Sequence, residues 1–157
     1  MVHFTGTHAN RLDGKGRVSI PAEFRAAMKA AGVTKLLLRA SHQYNCIEGR
    51  TPEAFARLAG TTETLDAFSD EHADMTLLLY SGAATVAPDG DGRIVLTNEL
   101  AAYARLGETA MFAGAGDRFE IWEPAALAIR REEALRNIRA RRQTVPGIPR
   151  QATGGTP

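Results

Sequence analysis

Two stretches of this chain, LDGKGRVSIPAEFRAAM from Leu12 to Met28 and PDGDGRIVLTNELAAYA from Pro88 to Ala104, align without a gap. Asp13 lies over Asp89, Gly14 over Gly90, Gly16 over Gly92 and Arg17 over Arg93, and Val18, Ile20, Glu23 and Phe24 lie over Ile94, Leu96, Glu99 and Leu100. Each copy continues into a short apolar segment, Lys35 to Arg39 and Thr109 to Ala113. Each then reaches a strand-like piece that ends near a proline, NCIEGRTP and RFEIWEP. Two copies are too few for a solenoid, whose repeats bury their faces only by stacking in series. They suit a pseudo-symmetric single fold whose halves pack on each other, and 157 residues are enough to bury one moderate core.

Within a copy, the segments before the turn (THANRL, ATVAP) and after it (RVSIP, RIVLT) read as short strands. Glycine at two turn positions permits positive φ, and aspartate can accept from backbone N–H groups just ahead of it, so a β-hairpin is expected at each turn. Pro21 then falls in the first turn of a helix, where its missing N–H costs nothing. Phe24, Ala27 and Met28 share one face of that helix, with Glu23 and Arg25 elsewhere. In the second copy Thr97 is suited to capping the equivalent helix.

Between the copies, Pro52 to Leu58 and Leu65 to Leu79 show helical spacing, the second through Leu65, Phe68, His72, Met75 and Leu79. A last helix is expected from Ala125 to Arg142, with Leu127, Ala134, Leu135 and Ile138 on one side. The end, VPGIPRQATGGTP, is rich in proline and glycine and is expected to be disordered. The resulting division is module 1 at 7–54, a helical insert at 55–82, module 2 at 83–126, a basic helix at 127–142 and a tail at 143–157.

The net charge of +1 hides a strong asymmetry. Residues 1–39 carry seven Lys/Arg against two Asp/Glu, residues 40–127 five against fourteen, and residues 128–157 seven against two. Two basic ends flank an acidic middle. Either the surface is merely patchy, or the ends assemble an anion-binding face.

Several function classes find no support. No apolar run approaches the roughly 20 residues that span a bilayer, and MVHFTGTHANRLDG does not read as an export signal, so a cytoplasmic location is expected. The one cysteine, Cys46, allows no internal disulfide and no thiolate metal cage, and a buried structural role is expected for it. His3, His8, His42 and His72 fit no zinc spacing, and neither a GxSxG elbow nor a Walker-type loop occurs. Asp89, Asp91 and Gly92 match part of a calcium loop, but Ala87 and Asn98 would stand where its first and last carboxylate ligands belong. No cofactor, no metal and no catalytic activity are expected.

What remains is a pair of turns that each present an arginine. Asp13 and Arg17, like Asp89 and Arg93, could simply pair across their own turns. Alternatively each aspartate fixes its turn and steadies an arginine whose guanidinium reaches a guanine edge or a phosphate. The first copy, with Lys15 and downstream Arg25 and Lys29, is the more cationic.

The D-x-x-G-R turn followed by V/I-x-I/L, occurring twice, with FEIW after the second copy, resembles the MraZ family of bacterial transcriptional regulators over about residues 1–140. The resemblance implies an α+β fold of two tandem SpoVT/AbrB-like swapped-hairpin β modules packed with pseudo-two-fold symmetry. It also implies ring-shaped homo-oligomers, a nucleoid-associated location, and binding to short direct DNA repeats upstream of the division and cell-wall gene cluster. The turn arginines are the DNA contacts of that family, which carries over to Arg17 and Arg93, with Asp13 and Asp89 holding them and Lys15 beside the first. Two departures stand out: Asp91 puts an extra carboxylate in the second turn, which predicts unequal contributions, and Thr97 replaces the helix-opening proline. The rival reading is a protein-interaction module of the same fold, such as an antitoxin-type partner.

Overall fold

The computed structural model describes residues 1–147. The two turns reverse the chain, yet their arms do not pair with each other as the turn chemistry led us to expect. The first turn joins β1 (Thr7–Arg11) to β2 (Arg17–Ser19), and the second joins β5 (Ala84–Val86) to β6 (Arg93–Val95). β1 pairs instead with β7 (Thr109–Gly114), β5 with β3 (Leu36–Ala40), and β2 with β6, all antiparallel. Every arm finds its partner in the other half. The physical reason is size: a two-stranded hairpin of three- to five-residue arms is marginal in water, whereas the exchange lets the outer arms join a larger sheet.

β3 and β7 lead into β4 (Ile47–Arg50) and β8 (Arg118–Trp122), which pair with each other. The six-stranded order β1-β7-β8-β4-β3-β5 reads the same from either end when each strand is exchanged for its repeat mate. Val18 faces Ile94 in the small ribbon and Glu48 faces Glu120 in the large sheet, so both pairs lie on the axis of that exchange. The fold is therefore α+β, two intertwined modules related by a pseudo-two-fold axis.

The core lies between the ribbon and the sheet. Val18, Ile20, Ile94 and Leu96 come down from the ribbon side, and Leu36, Leu38, Ile47, Phe112, Phe119 and Ile121 rise from the sheet, all at most 2 % exposed. Phe24 and Met28 enter from α1 (Ala22–Ala30). Phe4, Phe24, Phe112 and Phe119 form an aromatic cluster, with Phe4 edge-on to both Phe24 and Phe119 at 5.1 Å between centroids, a favoured ring geometry. α4 (Asn98–Tyr103) opens on Thr97, whose Oγ1 accepts from the Leu100 N–H at 3.1 Å, so the hydroxyl supplies a cap at the position where the first copy has proline.

On the other side of the sheet, α2 (Pro52–Gly60) packs against β3 and β4, capped by Thr51. A 3-10 turn at Thr61–Thr64 follows, then α3 (Asp70–Thr76), which runs into a π-helical turn at Leu77–Ser81. The continuous helix expected from Leu65 is thus shortened. Ser69 stops it by capping α3, its Oγ accepting from the His72 N–H, and Phe68, placed by spacing on the apolar face, is 99 % exposed.

The described residues from Ala125 onward form a compact unit of their own. It holds most of α5 (Pro124–Ala140), where Leu135 and Ile138 of the expected apolar side are exposed. Of the tail expected at 143–157, Gln143–Gly147 form neither helix nor strand, and residues 148–157 lie outside the described residues.

Candidate nucleic-acid interface

The ribbon β2/β6 has an inner and an outer face because its residues alternate. Val18 and Ile94 point inward and are buried, so Arg17, opposite Val95, and Ser19, opposite Arg93, share the outer face. Arg17 and Arg93 are diagonal neighbours there, a relation that sets them about 7–8 Å apart. Neither turn alone would bring two arginines onto one surface; the swap does. The glycines make the close approach possible. Gly16, at φ +80°, offers its carbonyl to the Leu96 N–H at 2.7 Å, and a Cβ there would lie 2.5 Å from the Leu96 carbonyl oxygen. Gly92, at φ +76°, accepts from Ile20 N–H at 2.9 Å in the mirrored arrangement.

In the first turn Asp13 Oδ1 accepts from the backbone N–H of Lys15 at 2.9 Å and of Arg17 at 2.8 Å, while Oδ2 takes the Arg17 Nε–H at 2.7 Å. The backbone hydrogen bond from Arg17, followed by the one from its side chain, holds the Asp13 carboxyl down at about 2. Arg17 is therefore gripped by Nε alone. Among the described residues nothing holds its two terminal nitrogens, which leaves that fork edge available to an acceptor pair.

The second turn repeats the scaffold and spoils the fork. Asp89 Oδ1 accepts from the N–H of Asp91 at 2.9 Å and of Arg93 at 3.0 Å, and the hydrogen bond from Arg93 leads the causes that lower its pKa. Here the Nε–carboxylate distance stretches to 3.5 Å, and Arg93 Nη2 turns to Asp91 at 3.2 Å. The residue that replaces Lys15 thus occupies the arginine as well as adding negative charge.

Arg25 is where the structure corrects the sequence most clearly. Counted with the first copy, it lies instead against the second turn: a Cβ on Gly92 would come within 2.6 Å of its guanidinium. Its Nε donates to the Ile20 carbonyl at 3.0 Å. With Lys29, Asp89 and Gly90 it lines an open cavity of about 350 Å³. The cations of α1 therefore lie beside the turn that has Asp91 where the first has Lys15.

Sequence reasoning also missed a buried ionic group on the α2 side of the sheet. Glu48 Oε1 accepts from Arg39 at 3.1 Å and from Arg50 at 2.5 Å, and all three residues are at most 7 % exposed. Burial pushes the Glu48 carboxyl up, but the Arg50 hydrogen bond together with the charges of Arg50 and Arg39 outweighs it and leaves the carboxyl below its usual range. The signal was present: LLLRA and IEGR place charges inside central strands. Cys46 is fully buried, and burial pushes its thiol up to about 12, which makes it a poor nucleophile. Among the described residues no three His, Cys, Asp or Glu side chains are grouped to hold a metal ion, and no helix is long and apolar enough to cross a membrane.

A family model described as "MraZ protein, putative antitoxin-like" matches the chain twice, at residues 3–78 and 79–144. A protein of Gluconacetobacter diazotrophicus named transcriptional regulator MraZ is 49% identical over 154 residues, covering 96% of each chain. Proteins of the same name from Gluconobacter oxydans, 46% identical over 88% of this chain and 87% of its own, and from Rhodospirillum rubrum, 39% identical over 81% and 83%, are also similar.

Proposed function

The chain belongs to the MraZ family, and on that premise we propose that it is a DNA-binding transcriptional regulator without catalytic activity, whose ribbon β2/β6 meets the duplex. The observation that carries this reading is the outer face of the ribbon, where Arg17 and Arg93 stand side by side across the pseudo-two-fold axis. A two-stranded β-ribbon fits the major groove, and an arginine fork matches the O6 and N7 acceptors of guanine. A separation of about 7–8 Å corresponds to roughly two steps of about 3.4 Å along one strand. Asp13 and Asp89 orient the arginines, Lys15 adds a phosphate contact beside the first, and Arg17 dominates because its fork is open. Arg25 and Lys29 supply charge beside the second turn.

One ribbon reads only a few base pairs, so the working form in this reading is a ring-shaped homo-oligomer that sets several ribbons along short direct repeats, upstream of division and cell-wall genes and at the nucleoid. Residues 7–54 and 83–126 are the two modules of each reading head, with 55–82 the helical insert and 127–142 the basic helix. Lys15 on one side and Asp91 on the other give the head a direction, which suits direct repeats better than inverted ones.

Binding of wild type and of Arg17→Ala to a duplex carrying short direct repeats and to a scrambled duplex tests the reading. The variant should lose about 1–3 kcal/mol on the repeat and most of its preference over the scramble; unchanged affinity and preference would remove Arg17 from the interface. The antitoxin-like family description favours a second reading, a module that grips another protein. That role predicts a stable heterologous complex and weak, salt-insensitive DNA binding.

A further inference from the structure

The insert and the C-terminal helix carry features that DNA contact by the ribbon does not use. Between Thr61 and Gly82 there are five acidic residues and no Lys or Arg. Phe68, Leu77, Leu78 and Tyr80 are all more than half exposed there. Asp70, Asp74, Leu77 and Leu78 follow one another at helical spacing along α3 and the turn after it, so acid and apolar surface form one stripe. From Ala125 to Arg142 the balance is reversed, with six arginines against two glutamates. Leu135, Ile138 and Arg139 lie three and four residues apart on α5 and are exposed, as are Ile129 and Arg136.

We propose that the acidic, apolar insert of one copy docks on the basic, apolar α5 of a second copy. Charge decides the pairing. Insert against insert would bring like carboxylates together, and α5 against α5 like guanidiniums, both unfavourable once desolvated. Insert against α5 joins opposite charges around two sets of uncovered apolar side chains, the anatomy of an apolar core with a polar rim. Because the two patches differ, each copy uses one to hold one neighbour and the other to hold a second. Such a heterologous contact closes into a ring when its rotation allows. The inference rests on the homo-oligomeric reading above and names the surfaces that build it.

Charge reversal in trans tests it. One full-length variant carries Asp70→Lys and Asp74→Lys, the other Arg136→Glu and Arg139→Glu; all four positions are exposed, and circular dichroism checks that each variant is folded. In sedimentation velocity wild type should assemble, each variant alone should fall to the single chain, and an equimolar mixture should reassemble, because each variant now complements the other. Full assembly of both variants on their own would overturn the pairing while leaving the oligomer reading intact. A mixture that stays dissociated would equally overturn contact between copies. Wild type sedimenting as a single chain at all concentrations would remove the oligomer reading together with this inference.

Discussion

Asp13 and Asp89 perform one task with two outcomes, and the difference lies in a single neighbouring side chain. Each ties its turn through two backbone N–H groups, but Lys15 leaves Arg17 to its aspartate while Asp91 draws Arg93 aside. Arg93→Ala should therefore weaken DNA binding less than Arg17→Ala, and Asp91→Lys should strengthen it by removing a repelling charge and releasing Arg93. A rank order of affinities from fluorescence anisotropy checks this; equal losses for the two arginines would contradict it. The same geometry has a pH consequence. A carboxyl whose folded pKa lies near 2, against 3.8 for the ordinary group, stabilises the folded state above about pH 4 and loses that contribution as pH falls through about 2. Carboxyl chemical shifts of Asp13 should accordingly titrate near pH 2, and a midpoint near the ordinary value would show that the grip on Arg17 is absent in solution.

At the scale of elements, the exchange of arms turns two local turns into one surface that carries both Arg17 and Arg93. β4 sits at the middle of the sheet with Ile47 on the core side and the Arg39–Glu48–Arg50 group on the other. Glu48→Ala would leave two buried guanidiniums without their carboxylate, and a loss of about 3–5 kcal/mol is expected from urea unfolding; a change below about 1 kcal/mol would mean that the group is not buried as described. Much of this level was legible in the sequence, because the duplication, the alternation of RVS and RIV, and the turn glycines all act locally. The swap was not legible from turn chemistry, since Asp-Gly turns favour the same reversal whether their arms pair with each other or elsewhere. Nor was the place of Arg25, which depends on α1 of one half lying beside the turn of the other. The start of α3 was readable in principle: Ser69 followed by Asp70 and Glu71 is a capping signal, and the apolar spacing of Leu65 and Phe68 masked it.

For the whole molecule, pseudo-symmetry and its breaking work together. The symmetric part builds a two-arginine ribbon, and in the proposed reading the asymmetric part, Lys15 against Asp91, gives each copy a direction along DNA. If phosphate contacts by Lys15, Arg25 and Lys29 contribute as their positions suggest, log affinity should fall with log salt at about 0.9 per phosphate neutralised, and Lys29→Ala should make that slope shallower by about one such contact without altering sequence preference. A slope unchanged by Lys29→Ala would place that side chain off the DNA. The central claim is that the ribbon is the part of the chain that touches DNA. Photo-cross-linking of the full chain to a direct-repeat duplex bearing diazirine groups, followed by mass spectrometry of the linked peptides, tests it directly. The cross-links should fall within Leu12–Ile20 and Pro88–Leu96; cross-links confined to α5, with none in either turn, would contradict the account.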